Sequence, residues 1–392
     1  MKICGTKKLG RSYFGIFALS VLMLLGFSFT DYGAMTDAGR LSVALSAEKR
    51  EVNASLPPEL GEILEELEGL LPEGVSADPK ELSESVGIER IFEGIISAVS
   101  EKGGDVSSLI AKLLGAALIF AIGELALEGV GELSAAVCSG INTVLAIPLF
   151  SSLFSLVKTV EEGLSAAGEL FGGLIPLIGG TLSAGGLIGT AAAQSSGMSV
   201  TLGIISGLLV ELLLPLVSAM FLLCAVTAFG NGDTPSGVGG VKGLFTFLMG
   251  AMTTVILGTL TLQTVITSAA DSVTMRSVKY AISNMLPGVG SVVAGSLSTL
   301  GSGVGYLTGI VGGASVAAMC SLFAAPLILL LLHRLALRVA LTVLEFLGAS
   351  AGKRVLSSFL GAADALITVT ACCGVIYILE IVLFIRHGVG VV

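Results

Sequence analysis

YAISNMLPGVGSVVAGSL, residues 280–297, is apolar almost throughout yet interrupted at its centre. Ser283 and Asn284 lead into Pro287, and Gly288, Gly290, Ala294, Gly295 and Ser296 follow. The stretch is too apolar for an ordinary surface loop. It is also too broken for an uninterrupted helix, because proline lacks the N–H donor and glycine weakens helices. A similar stretch stands upstream: residues 171–186, FGGLIPLIGGTLSAGG, carry Pro176 followed by Gly179 and Gly180. Pro176 and Pro287 are 111 residues apart, and so are Pro215 in VELLLPLVSA and Pro326 in SLFAAPLILL. Two prolines in register, each in a similar apolar context, mark a two-fold internal repeat.

Around these stretches the 392 residues are 54% hydrophobic and 12% charged, with a mean hydropathy of +0.97. A soluble domain carries about 25% charge. Several apolar runs reach about 20 residues, enough to span a bilayer. The fold class is therefore all-α: a polytopic helical membrane protein with broken or re-entrant Pro-Gly segments. The net charge of −9 is unevenly placed. Residues 48–105 carry 15 acidic and 5 basic side chains, and the remainder is nearly neutral. That balance argues against nucleic acid as a partner, because phosphate binding needs a basic surface. Six cysteines show no CxxC or Cys/His spacing, so neither a zinc site nor a disulfide framework is indicated.

Residues 1–47 form a signal peptide or an N-terminal anchor: Lys2, Lys7, Lys8 and Arg11 precede an apolar run from Tyr13 to Phe29. Residues 48–105 read as a small acidic helical segment delivered outside the cytoplasm. Leu60, Ile63, Leu64, Leu67, Leu70 and Leu71 recur at three and four, with Glu62, Glu65, Glu66 and Glu68 between them. Residues 106–392 are the membrane domain, with repeat 1 at about 133–242, repeat 2 at about 243–354 and a final span at 364–385. Within it, 158–171 (Lys158, Glu161, Glu162, Glu169) and the basic stretch 333–354 read as amphipathic interfacial pieces, in a total of roughly six to eight helices. Arg276 and Lys279, the 334–354 cluster and Arg386 compete for the cytoplasmic side. The pattern leaves orientation open, and with it whether the repeats are parallel or inverted.

Three features are candidates for function. The breaks at Pro176, Gly179 and Gly180 and at Pro287, Gly288 and Gly290 leave backbone groups that only protein or a water-filled cavity can satisfy. Paired interruptions of this kind line the transport path of many secondary transporters, or serve only as kinks in packing. Gly301, Gly305, Gly309 and Gly313, spaced by four, form a ridge for close helix packing, within the chain or in self-association. Glu211 continues the four-spaced series Ser199, Gly203, Gly207 and is expected to face another helix instead of lipid. Asp364 and Glu380 read as interfacial. No GxSxG, HExxH or GxxxxGK[ST] motif is present, so no catalytic, cofactor or metal residues are assigned and the chain is not expected to be an enzyme.

The acidic exported segment, VKYAISNMLPGVGSVVAGSLSTL, SLFAAPLILLLLHRLALRVAL and the final span together resemble the stage III sporulation protein AE family of endospore-forming bacteria, over about residues 55–390. The turn Pro287-Gly288-Val289-Gly290 departs from the family's proline–valine–glycine pattern, and Pro176-Leu177-Ile178-Gly179-Gly180 lies closer to it. The resemblance implies a mother-cell protein in the outer of the two membranes around the engulfed forespore. Its partners would be other stage III sporulation membrane proteins and their ATPase, in the channel complex between the two cells, with residues 48–105 in the intermembrane space. A permease-like core is the role expected. A stand-alone secondary transporter or ion channel, or a structural scaffold, are the alternatives.

Overall fold

The computed structural model describes residues 132–229, 235–285 and 290–389, with isolated helical positions between 108 and 123. The expected signal or anchor, the acidic segment, Pro287 and Gly288 lie outside the described residues, and for 268–304 only backbone is described. Among the described residues there is no strand. Helix α1 covers Glu132–Ala184 and α2 covers Ile188–Ile204; a π-wound segment, Ile205–Leu213, carries α2 into α3, Leu214–Phe229. Then come α4, Pro235–Met285, α5, Gly290–Phe346, and α6, Ser350–Val389. Five stretches are long and apolar enough to cross a membrane: Leu149–Ala184, Ile188–Val226, Gly239–Thr267, Leu307–Phe346 and Gly352–Gly388. This is a multi-pass helical membrane protein.

The helices are longer than the sequence suggests. Lys158, Glu161, Glu162 and Glu169 do not mark a separate interfacial piece: all four lie on the exposed side of α1, while Val160, Leu164, Ala167 and Phe171 fill its buried side. The expected break at Pro176–Gly180 is likewise helical throughout. Pro176 sits on the exposed face, and the buried Leu174, Leu177 and Ile178 around it hold the helix through the one lost hydrogen bond. The stretch 333–354 is not one amphipathic element either, since α5 runs to Phe346 and α6 starts at Ser350.

Among the described residues the chain reverses at two glycines. Gly186 has φ 77° and Gly348 has φ 72°, a left-handed conformation that glycine adopts without the Cβ penalty. At the first turn the Leu187 N–H donates to Leu182 O (3.0 Å) and the Gly186 N–H to Ser183 O (2.9 Å). At the second, Ala349 donates to Leu344 O (3.0 Å) and Gly348 to Glu345 O (3.3 Å). Both are Schellman caps, and the residues at the positions of the accompanying apolar pair, Leu182 and Leu187 at the first and Leu344 and Ala349 at the second, are all buried. They divide the bundle into two long helical hairpins, α1–α3 and α5–α6, with α4 between them.

The turn glycines are 162 residues apart. An offset of 111 would instead map the first turn onto 296–298, which lies inside α5. The hairpins run in opposite senses. Gln194, just after the first turn, touches His387 at the far end of α6, and Phe221, well down α3, stacks on Phe359 near the second turn. The two turns therefore lie at opposite ends of the bundle. Helix α4 runs parallel to α6, since Thr253 meets Cys372 and Thr267 meets His387. Tyr377 joins the hairpins at mid-height, with its ring 4.5 Å from Phe171 and 6.2 Å from Phe323. Where α5 and α6 lie closest, Gly374 faces the Phe323 ring and Gly312 faces Ile385.

The π winding has a local cause. Pro215 cannot bond the carbonyl four residues back, and its ring crowds that carbonyl; widening the preceding turns relieves both. It also keeps Thr201, Ile205, Leu209, Leu213 and Val217 buried along one line. Elsewhere serine and threonine hydroxyls bond back to the carbonyl four residues earlier, as Thr181 does to Leu177 O (2.8 Å) and Thr254 to Gly250 O (2.8 Å). Hydroxyls bonded in this way are satisfied within their own helix, while Phe247 and Leu262 point outward.

Candidate functional site

Buried polar side chains are few in the spans; five of them gather where α2, α4 and α6 meet, with the half-buried His387 beside them. Helix α2 supplies Gln194 and Thr201, seven residues apart, which is two helical turns and so one face. Helix α6 supplies Glu380 and His387 at the same spacing, and α4 supplies Gln263 and Thr267 one turn apart. Glu380 is 0% exposed. Its Oε1 accepts from the Thr201 hydroxyl at 2.5 Å. Gln194 Nε2 donates to the Glu380 backbone carbonyl at 3.3 Å, and His387 Nδ1 lies 3.2 Å from Gln194 Oε1. The other ring nitrogen, Nε2, lies 2.9 Å from Thr267 Oγ1, and the Thr267 hydroxyl also bonds back to Gln263 O at 2.9 Å.

Gln263 can meet Glu380 in two ways. In one, its amide nitrogen donates to Glu380 Oε1 at 3.4 Å. In the other, the nitrogen donates to Oε2 at 3.1 Å and the amide oxygen accepts from the Met198 N–H at 3.2 Å. Room for the amide exists only because residue 197 is glycine: a Cβ there would overlap it. The layer thus holds a carboxylate, an imidazole, two amides and two hydroxyls. No lysine or arginine bridges to Glu380 among the described residues.

The residues singled out in the sequence are dispersed. Gly179 is a close-approach point, where a Cβ would lie 2.7 Å from Ser195 Oγ on α2, while Gly180 has open space. Glu211 is exposed and does not pack against another helix among the described residues. Ser199, Gly203, Gly207 and Glu211 are all exposed, because the buried line Thr201–Val217 runs along the opposite side of the same rod. Nor do Glu211 and Pro176 meet. Counted from the first turn at 1.5 Å per residue, they differ in depth by roughly 20 Å. On the glycine ridge, Gly309 is exposed with open space around it, so the close contact of α5 with α6 is made by Gly312 instead. Gly305 and Gly313 are half-buried, Gly290 opens α5, and the side-chain surroundings of Gly301 lie outside the described residues. Arg334 pairs with Asp364 at 2.5 Å in a half-exposed bridge, and His333 is buried with Nδ1 at 2.8 Å from Leu329 O.

Glu380 read as interfacial in the sequence because it lies near the end of the final span. The signal that could have found it is the seven-residue spacing of polar residues in both α2 and α6. Residues 75–388 match the family model described as stage III sporulation protein AE. No curated protein and no solved structure matches the chain.

Proposed function

This chain belongs to the stage III sporulation protein AE family, and on that premise we propose that it is the permease-like core of the channel between mother cell and forespore. It lies in the mother-cell membrane around the forespore and works with other stage III membrane proteins and their ATPase. The chain itself performs no catalytic step. The observation that carries the reading is the opposed pair of hairpins around α4, with a buried carboxylate where they meet. Inverted elements around a polar site are the architecture of many membrane transporters.

Charge supports an orientation. Lys242, Arg334, Arg338, Lys353 and Arg354 belong to the half of the bundle near the Gly348 turn, against Arg276, Lys279 and Arg386 toward the other end. The positive-inside bias then puts the Gly348 turn in the mother-cell cytoplasm and the Gly186 turn on the intermembrane side. The exposed stripe ending in Glu211 supports a neighbouring subunit on that face, because a carboxylate left in lipid costs a few kcal/mol at least.

Deletion is expected to arrest development after engulfment. Affinity recovery from sporulating cells should bring ring-forming membrane proteins and an ATPase with the chain. Normal spores from the deletion, or recovery of the chain alone, would refute the reading. The same inverted arrangement also favours a stand-alone secondary transporter. Solute or ion flux by the purified chain in liposomes, without partners, would select that alternative.

A further inference from the structure

Glu380 needs a compensating charge or a proton, and the layer around it contains the parts for the second. Its neighbours from α2 are Thr201 and Gln194, and from α4 Gln263, none of which titrates near neutral pH. On α6 the titratable groups nearest in sequence are Tyr377, Cys373 and His387, with Arg386 exposed. From α1 the residues nearest that height are Phe171 and Gly168, while Glu169 points outward. From α5, Phe323 meets Tyr377 and Thr308 meets Gly388.

The two orientations of Gln263 suit two charge states of Glu380. With Glu380 ionised, the amide nitrogen donates to Oε2 and the amide oxygen takes the Met198 N–H. With Glu380 protonated, the reversed amide presents its oxygen to Oε2, where the new O–H donates, and its nitrogen still reaches Oε1. Every polar atom of the pair keeps a partner in both states. His387 is half-buried toward the Gly186-turn end, and both of its ring nitrogens face oxygen atoms that can accept when the ring carries a second proton. Its Nδ1–H then donates to Gln194 Oε1 and its Nε2–H to Thr267 Oγ1, whose own hydrogen goes to Gln263 O.

We propose that Glu380 is a proton-binding site, filled from the Gly186-turn end past His387, and that the Gln263 amide reverses as the proton arrives. One proton leaves solution or the His387 imidazolium. It forms the O–H bond at Glu380 Oε2, cancels the carboxylate charge, and replaces an N–H donation from Gln263 with an O–H donation to it. The proposal stands apart from the channel reading, because it is tested on the protein alone.

Infrared difference spectra of the purified protein in vesicles, stepped in pH, test it. A carboxylic acid C=O band is expected to grow on acidification. It should vanish in Glu380→Gln and persist in Glu211→Gln. A titrating band that survives Glu380→Gln, or a wild-type spectrum with none, overturns the proposal. Gln263→Leu provides a second readout that keeps Glu380 in place. Removing the amide should move the midpoint of the band by about one pH unit, a tenfold change in proton affinity, and shift its frequency as the O–H loses its acceptor. An unchanged midpoint and frequency would overturn the proposal even if Glu380→Gln fails to accumulate.

Discussion

Gly197→Ala replaces one hydrogen with a methyl group, yet it is expected to be among the most damaging small changes in the bundle. The added Cβ would overlap the side-chain amide of Gln263, which must then leave the Glu380 layer. Its departure removes the donation to the carboxylate and the acceptance from the Met198 N–H. Hydrogen bonds to charged groups are worth about 1.5–3 kcal/mol in soluble proteins. Interhelical ones measured in a membrane protein average about 0.6 kcal/mol and reach about 1.7. Alanine's better helix propensity returns about 1 kcal/mol, but the displaced amide must also be repacked among buried neighbours. The net loss should be about 1–2 kcal/mol, roughly a tenfold shift in the ratio of folded to unfolded protein. Gly203→Ala and Gly207→Ala, with open space at both Cβ positions, are the controls and should be neutral or slightly stabilising. Unfolding in mixed detergent measures all three. In a Gln263→Ala background the penalty of Gly197→Ala should largely disappear, since nothing is left to displace. If Gly197→Ala matches the two controls, or its penalty is unchanged without Gln263, the described layer is wrong.

Gly186→Ala and Gly348→Ala each force an L-residue to a positive φ, and each should lose about 1–2 kcal/mol in the same assay, whereas Gly180→Ala should not. Gly312→Leu is expected to drive α5 from Ile385 and lower abundance sharply, while Gly309→Leu should leave the isolated chain folded. Loss of co-purifying partners from a stable Gly309→Leu chain would assign that face to assembly. Single cysteines at Lys353 and Ile188 should label from opposite sides of the membrane, Lys353 from the cytoplasm. Labelling from the same side would contradict the inverted hairpins.

The membrane class and the helical character were legible because bilayer solvation imposes them on composition and run length alone. The helix ends were not. Charged residues such as Lys158 and Glu162 suggested interface pieces, but a helix of more than 50 residues can carry them along one exposed side without interruption. Proline drew attention to Pro176, where a single missing bond is absorbed by packing. The reversal depended on backbone handedness at Gly186, which has many look-alikes among 53 glycines. The polar layer was hidden for a different reason. Each helix contributes only two of its members, and their convergence is a property of three helices packed together. Glu211 stood out more than Glu380 by apolar context, yet burial ranks them in reverse.

The opposed hairpins also constrain how the chain is made. A hairpin closed by a three-residue turn can enter the bilayer as one unit and leaves the ribosome-facing side unchanged. Only α4, crossing alone, hands the next hairpin to the opposite leaflet. Its apolar window, Gly239–Thr267, is rich in threonine and includes Gln263. Threonine hydroxyls can bond within the helix, but Gln263 has no partner until α2 and α6 are beside it. The segment that sets the topology of the second half is thus a weak inserter on its own. In the proposed orientation, the basic residues around the Gly348 turn would favour its commitment to cross by retaining that turn on the side of synthesis.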